Sequence, residues 1–287
     1  MTRFTRLPAL LTLGVLAVAV AGCGGDGDTG GAPPADATEG AAAVEIENPG
    51  VITGTVMFTG TAPDLESIDM DSEPVCAEKH EGTPVQESVV TGTGTLGNVF
   101  VSVREGLSQE FPAPSTPVEI DQSGCVYEPR ILGVQAGQNI TIRNNDAVLH
   151  NINATPEANR GFNISQPQEG MTSDRSFSAS EIMVPVQCDV HGWMTAFIGV
   201  TDHPYFAVTG PDGSFEIENL PPGDYVLEAW HEVYGAQTVN VTVPPSGTAE
   251  ATFTYDAAMS ASAVVPVGDP VDLHDHHISP VAVTPAG

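Results

Sequence analysis

The sequence predicts an all-β protein, and three observations support this. The chain contains 30 glycines and 24 prolines. Between them lie many short runs of Val, Ile, Thr and Phe, a pattern typical of strands joined by turns. Apolar and polar residues alternate within these runs, so each strand would bury one face. Hydrophobic residues make up 41% of the 287 residues, which is enough for one large or two ordinary folded domains.

Residues 1–22 have the features of an export signal. Arg3 and Arg6 precede an apolar run at residues 7–21, which is too short and wrongly flanked for a stable membrane span. The V-A-G-C that ends at Cys23 resembles the lipobox of prokaryotic lipoproteins. This resemblance implies cleavage before Cys23, lipid attachment to its thiol, and a membrane-anchored protein facing the periplasm or the cell exterior. The alternative is a plain signal peptide with a chance cysteine.

Residues 23–48, rich in Gly, Ala, Asp and Pro, predict a flexible acidic linker.

The charge of the chain is strongly acidic, with 8 Lys and Arg against 37 Asp and Glu and a formal net charge of −29. Binding to nucleic acid through phosphates requires a basic surface, so we exclude a nucleic-acid partner. Two explanations of the acidity stay open. One is a basic docking partner that is steered electrostatically, and the other is solubility in a salty habitat.

Residues 49–117 form an N-terminal β segment in this prediction. Residues 51–59 and 98–104 alternate as strands, and an irregular stretch between them holds Cys76 and His80. Residues 111–117 contain three prolines and predict a loop.

Residues 118–201 carry the candidate chemistry. Cys188, His191 and Met194 follow one another at the spacing C-x2-H-x2-M, and His150 lies upstream. Two histidines, one cysteine and a weak axial methionine are the ligand set of a blue-copper electron-transfer centre. Val184, Val186 and Cys188 alternate, so Cys188 would face inward at the end of a strand, and residues 195–200 would form the returning strand. Four ligands leave no position for a substrate, which favours a carrier over an enzyme.

This segment resembles the cupredoxin family, in particular plastocyanin and amicyanin. The likeness rests on Y-x-P-x4-V-x2-G-Q-x-I-x-I-x-N-x-D-x3-H-N over residues 127–151, followed by C-x2-H-x2-M. It implies a Greek-key β-sandwich or barrel holding one type 1 copper, with His150, Cys188 and His191 in the copper plane and Met194 axial.

The same resemblance implies roles for residues around the metal. The carbonyl of Leu149 would approach copper from the side opposite Met194, and Asn151 would hydrogen-bond across to the cysteine loop. Asp189 departs from the Ser or Thr commonly found after the cysteine, so the hydrogen bonding of the loop is open at this position.

Residues 202–256 resemble the carboxypeptidase regulatory-like domain, a smaller transthyretin-like β-sandwich. The likeness rests on D-G-x-F-x-I-x-N-L-P-P-G-x-Y-x-L, and residues 238–243 and 249–255 would complete a meander. The opening G-x-V-x-F-x-G of that domain resembles part of residues 51–60. Two arrangements therefore stay open: the copper domain inserted within this sandwich, or two domains in series.

The remaining cysteines and histidines have weaker assignments. Outside the cytoplasm, Cys76 and Cys125 are most simply a disulfide. His203 and His231 would be either buried hydrogen-bonded side chains or a second metal or proton-coupled site. Residues 257–287 predict a disordered tail, in which His274, His276 and His277 would at most bind metal loosely.

The sequence therefore predicts a membrane-anchored, extracytoplasmic one-electron carrier and not an enzyme. A copper oxidase or nitrite reductase needs further ligands, and the one H-x-H of the chain lies in the tail. By analogy, the partner would be a c-type cytochrome or a membrane oxidoreductase, and His191 would be the electron port because its loop lies at the rim of the fold. Whether His191 is exposed or covered by the module that begins at residue 202 stays open. The alternatives are a copper-binding or delivery protein and a cell-surface β-sandwich binding module without metal.

Overall fold

The computed structural model describes residues 45–259, and they form an all-β structure, as the sequence predicts. The predicted signal peptide, lipid-attachment residue Cys23, most of the linker and the tail from residue 260 lie outside the described residues. The described part contains one short helix, α1 (Pro74–Ala77). No helix in this part is long and apolar enough to cross a membrane.

The strands are β1 (Gly50–Thr59), β2 (Phe100–Glu105), β3 (Val118–Ser123), β4 (Val126–Glu128), β5 (Ile131–Gln135), β6 (Ile140–Asn144), β7 (His150–Ala154), β8 (Phe162–Gln166), β9 (Thr172–Arg175), β10 (Glu181–Gln187), β11 (Thr195–Thr201), β12 (Phe206–Val208), β13 (Ser214–Leu220), β14 (Gly223–His231), β15 (Gly235–Val243) and β16 (Thr248–Asp256).

One sandwich combines strands from both ends of the described chain, and we call it the flanking sandwich. Its sheets have the orders β13-β1-β16 and β12-β2-β14-β15. Ile52, Val56 and Phe58 of β1 alternate into a core shared with Leu227 and Tyr255. Because β1 and β2 pair with strands that lie after residue 205, the strand pairing is that of the inserted arrangement, not of two domains in series.

The predicted meander at the end of this sandwich is wrong. Strand β15 pairs with β14, but β16 crosses to the other sheet and runs parallel to β1. The reason is that β16 buries Ala249, Ala251, Phe253 and Tyr255 against both sheets of the core.

The second sandwich, which we call the inserted sandwich, lies between β2 and β12 in the sequence. Its sheets have the orders β5-β11-β10-β7-β8 and β4-β3-β6-β9. Ile140 and Ile142 of β6 are buried against Val184, Val186 and Ile198 of the facing sheet. Strands that bury alternate residues in this way fix the ends of β7, β10 and β11, where the candidate ligands lie.

The two sandwiches pack through aromatic residues over glycines. Phe100 of β2 points away from its own core toward Ile131 and Met183 of the inserted sandwich. A Cβ atom on Gly199 would lie 2.6 Å from the Phe100 ring, so only glycine permits this approach. Beside this contact, Nε and Nη2 of Arg130 donate to the two carboxylate oxygens of Glu232 at 2.6 and 2.8 Å.

Residues 60–99, which we call the strap, connect the two sandwiches in an unusual way. The strap leaves β1 of the flanking sandwich and packs Ile68 and Met70 into the core of the inserted sandwich. It then returns through Leu96 to the core of the flanking sandwich. The Cys76–Cys125 disulfide, with a Cα–Cα distance of 5.5 Å, attaches α1 to the β3–β4 turn.

Candidate metal centre

Two backbone hydrogen bonds close the loop that carries Cys188, His191 and Met194. It joins β10 to β11, which are antiparallel neighbours. The Cys188 N–H donates to the Met194 carbonyl at 3.1 Å, and the Met194 N–H donates to the His191 carbonyl at 2.8 Å. The sheet therefore holds both ends of a seven-residue loop, and the loop places its donor atoms on the inner side.

His150 reaches this loop from the start of β7, which is hydrogen-bonded to β10. The Nδ1 atoms of His150 and His191 lie 3.0 Å apart, and the Cys188 sulfur lies 4.0 Å from His191 Nδ1. One ligand atom from each of the three residues lies within 4.8 Å of the others, and all three side chains are buried. Two imidazole nitrogens and one thiolate sulfur thus converge on one point.

Met194 and Leu149 are the other two residues expected at the metal. Met194 is 1% exposed and packs in the same apolar core as Cys188. Leu149 is the residue before His150, and its side chain is exposed. Their roles as the axial ligand and as the source of a second axial oxygen stay predictions.

Asn151 connects the His150 strand to the cysteine loop. Its Oδ1 accepts the Asp189 N–H at 2.7 Å and lies 3.3 Å from the Cys188 sulfur. Its backbone carbonyl accepts the buried Tyr127 hydroxyl. Because both contacts fix Asn151, the side chain can hold the loop at a constant distance from β7.

Asp189, the residue after Cys188, forms several side-chain hydrogen bonds. Its carboxylate accepts the side-chain amides of Asn163 at 2.7 Å, Asn151 at 2.9 Å and Asn153 at 3.1 Å. These hydrogen bonds, that of Asn163 first, lower the pKa of Asp189. The negative charge is therefore held by three amides on the outer side of the loop.

The environment of Cys188 favours its thiolate. Burial alone would raise the pKa of this thiol. Hydrogen bonds involving the His150 side chain and nearby backbone N–H groups outweigh burial and lower the pKa. The His191 N–H, 3.4 Å from the sulfur, is one of these groups. A thiolate is the form of cysteine that binds metal.

The site contains one carboxylate that sequence reasoning missed. Asp146 is fully buried, and its Oδ2 lies 2.8 Å from His150 Nε2. A carboxylate behind a ligating histidine fixes the tautomer, so that Nε2 carries the hydrogen and Nδ1 faces the metal position. The i, i+4 spacing of Asp146 and His150 in N-D-A-V-L-H was the available sequence signal.

Four donors hold Asp146 in its charged form. Besides His150, it accepts the Lys79 ammonium at 2.6 Å and the N–H groups of Gly124 and Cys125 at 2.9 and 2.8 Å. Burial opposes ionisation, but these hydrogen bonds outweigh it and lower the pKa of Asp146. The pKa of His150 is raised because Asp146 and Cys188 overcome the effect of its burial.

The exposure of His191, which the sequence leaves open, is decided by the fold. His191 is 2% exposed, and the strap covers it instead of the module that begins at residue 202. Glu73 Oε1 lies 3.8 Å from His191 Nε2, and Gln86 donates to the Trp193 carbonyl at 2.9 Å. Residues of the strap, which lie about 100 positions earlier in the sequence, therefore cover His191.

His203 and His231 do not join the site or each other. His203 Nε2 lies 2.7 Å from the Val103 carbonyl. His231 Nδ1 accepts the Val233 N–H at 3.1 Å, and its ring stacks on Tyr234. Within residues 45–259, no cluster of three potential metal ligands includes either histidine. Of the two alternatives, the structure matches buried hydrogen-bonded side chains.

Comparison with known families identifies one domain. A family model of the carboxypeptidase regulatory-like domain matches residues 195–256, from β11 to β16. This match confirms the domain that the sequence predicts at the C-terminal end of the described chain. A comparison with curated protein sequences finds no match.

Among solved structures, several copper proteins are similar to part of the chain. A purple cupredoxin from Nitrosopumilus maritimus is 21% identical with a TM-score of 0.26, covering 29% of this chain and 99% of that one. An oxidised point mutant of amicyanin is 20% identical with a TM-score of 0.27, covering 29% of this chain and 81% of that one. A copper-containing nitrite reductase from Thermus scotoductus SA-01 is 17% identical with a TM-score of 0.29, covering 34% of this chain but 25% of that one. At these TM-scores the similarities do not bear on what this chain binds.

Proposed function

We propose that this protein is a type 1 copper protein that carries single electrons outside the cytoplasm. The observation that carries the proposal is the convergence of His150 Nδ1, His191 Nδ1 and the Cys188 sulfur within one buried space. Soft sulfur with imidazole nitrogen suits copper better than calcium or magnesium, which prefer oxygen ligands. When bound, copper would supply the exchange of one electron between Cu(I) and Cu(II).

The residues around the donors fit such a group. The Asp146 carboxylate orients His150, and Asn151 braces the Cys188 loop. The lowered pKa of Cys188 favours the thiolate that copper requires. Ile152 and Ile198 exclude water from the surrounding core. A site braced on all sides can change oxidation state with little rearrangement, which favours rapid electron transfer.

Burial of the centre favours a carrier over a delivery protein. A copper donor must release its metal to a recipient, and this requires exposed ligands. Here Cys188 is 0% exposed and His191 is 2% exposed. The covalently attached strap would slow copper exchange without preventing electron transfer, because electrons can pass through a short protein layer.

The remaining parts of the proposal rest on sequence features. Arg3, Arg6 and the V-A-G-C motif support export and lipid attachment at Cys23. We propose a redox partner such as a c-type cytochrome or a membrane oxidoreductase, and no catalytic activity of the protein's own. Because the strap covers His191, the partner would meet the strap or another face near the centre, not a bare imidazole.

Copper titration of the purified full chain tests this function. Addition of Cu(II) should produce an intense visible band of thiolate-to-copper charge transfer. Cys188→Ser should abolish the band, whereas His203→Gln, a change at a buried histidine outside the site, should retain it. A wild-type chain that stays colourless would falsify the proposal. Reversible reduction with the metal retained would distinguish the carrier from a delivery protein, which would lose Cu(I) rapidly to a chelator.

A further inference from the structure

The Cys76–Cys125 disulfide lies against the candidate copper centre. One ligand atom from each of Cys76, Cys125 and His191 lies within 4.8 Å of the others, and all three residues are buried. The Trp193 indole donates to the Cys125 carbonyl at 2.9 Å, and the Cys125 N–H donates to Asp146. A disulfide needed only to fasten the strap could lie anywhere along it, yet this one adjoins a predicted metal ligand.

One ring nitrogen of His191 is left unused. Its Nδ1 faces His150, while its Nε2 is the nitrogen nearer the strap, 3.8 Å from Glu73. Nε2 is buried and has no hydrogen-bond partner within residues 45–259. An unsatisfied buried polar atom is costly and calls for an explanation.

A neutral His191 can offer this nitrogen to a metal ion. Its ring can carry the hydrogen on Nδ1, which lies 3.0 Å from His150 Nδ1. Nε2 is then a lone pair, and no donor within residues 45–259 occupies it.

We propose that Cys76 and Cys125, once reduced to thiols, form with His191 Nε2 a second copper position that holds Cu(I) in the chain without copper at His150 and Cys188. Two thiolates and one imidazole are soft donors that select Cu(I). A structural zinc ion takes four ligands, whereas this group supplies three. The two positions share His191, one on each ring nitrogen, so copper held at the strap lies next to the inner site.

The disulfide controls this position. A disulfide offers no thiolate, so the second position exists only after two electrons and two protons convert the bond into two thiols. A water-soluble phosphine can supply the electrons by taking the oxygen of one water molecule, which leaves a phosphine oxide and two thiols. The proposal does not depend on blue-copper function, because it needs neither Cys188 nor a redox change of copper.

Cu(I) binding in the full-length Cys188→Ser variant tests the proposal, since this variant lacks the inner thiolate. The variant is treated with the phosphine until two additional thiols react per chain, and the phosphine is removed under anaerobic conditions. Cu(I) affinity is then measured by competition with a chromophoric chelator. Reduction should tighten binding by more than the roughly 10–100-fold that typically follows from losing one outer-shell contact. X-ray absorption should find two sulfur neighbours and one nitrogen neighbour.

The matched control is the same chain with Cys76→Ser and Cys125→Ser, which lacks both the disulfide and its thiols. It should bind Cu(I) no more tightly than the untreated variant. Equal affinity before and after reduction, or equal affinity of the reduced chain and the control, would overturn the proposal. So would loss of the near-ultraviolet circular dichroism on reduction, because the site requires a folded dithiol form, or retention of Zn(II) in preference to Cu(I). All of these measurements use a chain without Cys188. Failure of this proposal would therefore leave the thiolate-to-copper band expected of the wild-type protein unaffected.

Discussion

The two sandwiches each bury a pair of histidines, but they use them differently. In the inserted sandwich, the Nδ1 atoms of His150 and His191 lie 3.0 Å apart beside the Cys188 sulfur. In the flanking sandwich, His203 and His231 each bind a backbone group on their own. Burial alone therefore does not bring donor atoms together, and the neighbours of each imidazole distinguish the two pairs.

The electrostatic surroundings show the same difference. Asp146 and Cys188 favour the charged form of His150 and raise its pKa despite burial. In the described part of the chain His231 has no such carboxylate partner, and burial, followed by the positive charge of Arg130, lowers its pKa to about 4. A histidine with anionic neighbours is suited to hold a cation, whereas a histidine surrounded by tyrosines is suited to packing.

The largest expected effect comes from removing a histidine of the first pair. His150→Ala should abolish the thiolate-to-copper absorption, because one of the two imidazole donors disappears. His231→Gln should leave that absorption unchanged, since its ring lies in the core of the flanking sandwich. Visible spectra of both variants after copper addition decide between these outcomes. Equal loss of colour in both would remove the distinction between the two pairs.

The second effect concerns stability in acid. The folded pKa of His231, about 4, lies below the ordinary value of about 6.5. Between these pH values His231 is protonated in the unfolded chain but still neutral in the folded chain. The free energy of unfolding therefore decreases as the pH falls. The loss should reach about 3 kcal/mol by pH 4, from roughly 1.36 kcal/mol per pH unit.

Urea unfolding of wild type and His231→Gln at pH 7 and pH 4 measures this loss. The variant should lose less stability than wild type over this interval, by up to the amount above. Buried carboxylates contribute equally to both chains and cancel in the comparison. Parallel pH profiles would show that His231 does not titrate as its surroundings indicate.

A smaller effect is expected when the carboxylate behind His150 is changed. Asp146→Asn should weaken copper binding by about 10–100-fold, the usual cost of losing an outer-shell partner of a ligating histidine. Lys79→Met should weaken it less, because its ammonium contacts Asp146 and not the ligand. Competition with a chelator measures both affinities. An unchanged affinity in Asp146→Asn would show that the tautomer of His150 does not depend on Asp146.

The smallest effect concerns the amide contacts of Asp189. Asp189→Ser removes hydrogen bonds from Asn151, Asn153 and Asn163 but leaves the Asn151 contact with the backbone N–H at position 189. The free energy of unfolding should fall by about 1 kcal/mol, the net worth of a typical hydrogen bond. Thermal unfolding of the copper-free chain measures this change. A melting temperature equal to that of wild type would show that the amides pair equally well with water.

Much of the inserted sandwich was predictable because its signals are local. The alternation of Ile140 with Ile142 locates β6, and that of Val184 with Val186 locates the second half of β10. The spacing of Cys188, His191 and Met194 predicts that they share one loop. Asp146 could have been predicted in the same way, because it lies only four residues before His150.

Other features depend on contacts between distant residues. The core that β1 shares with β13 and β16 joins residues from opposite ends of the described chain, and no local period reports this pairing. The cover over His191 comes from Glu73 and Gln86, which lie in an irregular segment without a motif. The parallel pairing of β16 with β1 could not be predicted either. Alternating apolar residues indicate which face of a strand is buried, but not which strand lies beside it.

The sequence by itself determined the all-β class and the set of residues that could hold copper, because side-chain period and ligand spacing act over a few residues. The tertiary structure decided which histidines meet, what stands behind them and whether His191 touches solvent. Burial, hydrogen bonding and the pKa of each group depend on atoms brought together from distant parts of the chain. The four buried histidines illustrate this difference: only the folded chain separates the pair beside a thiolate from the pair that braces a core.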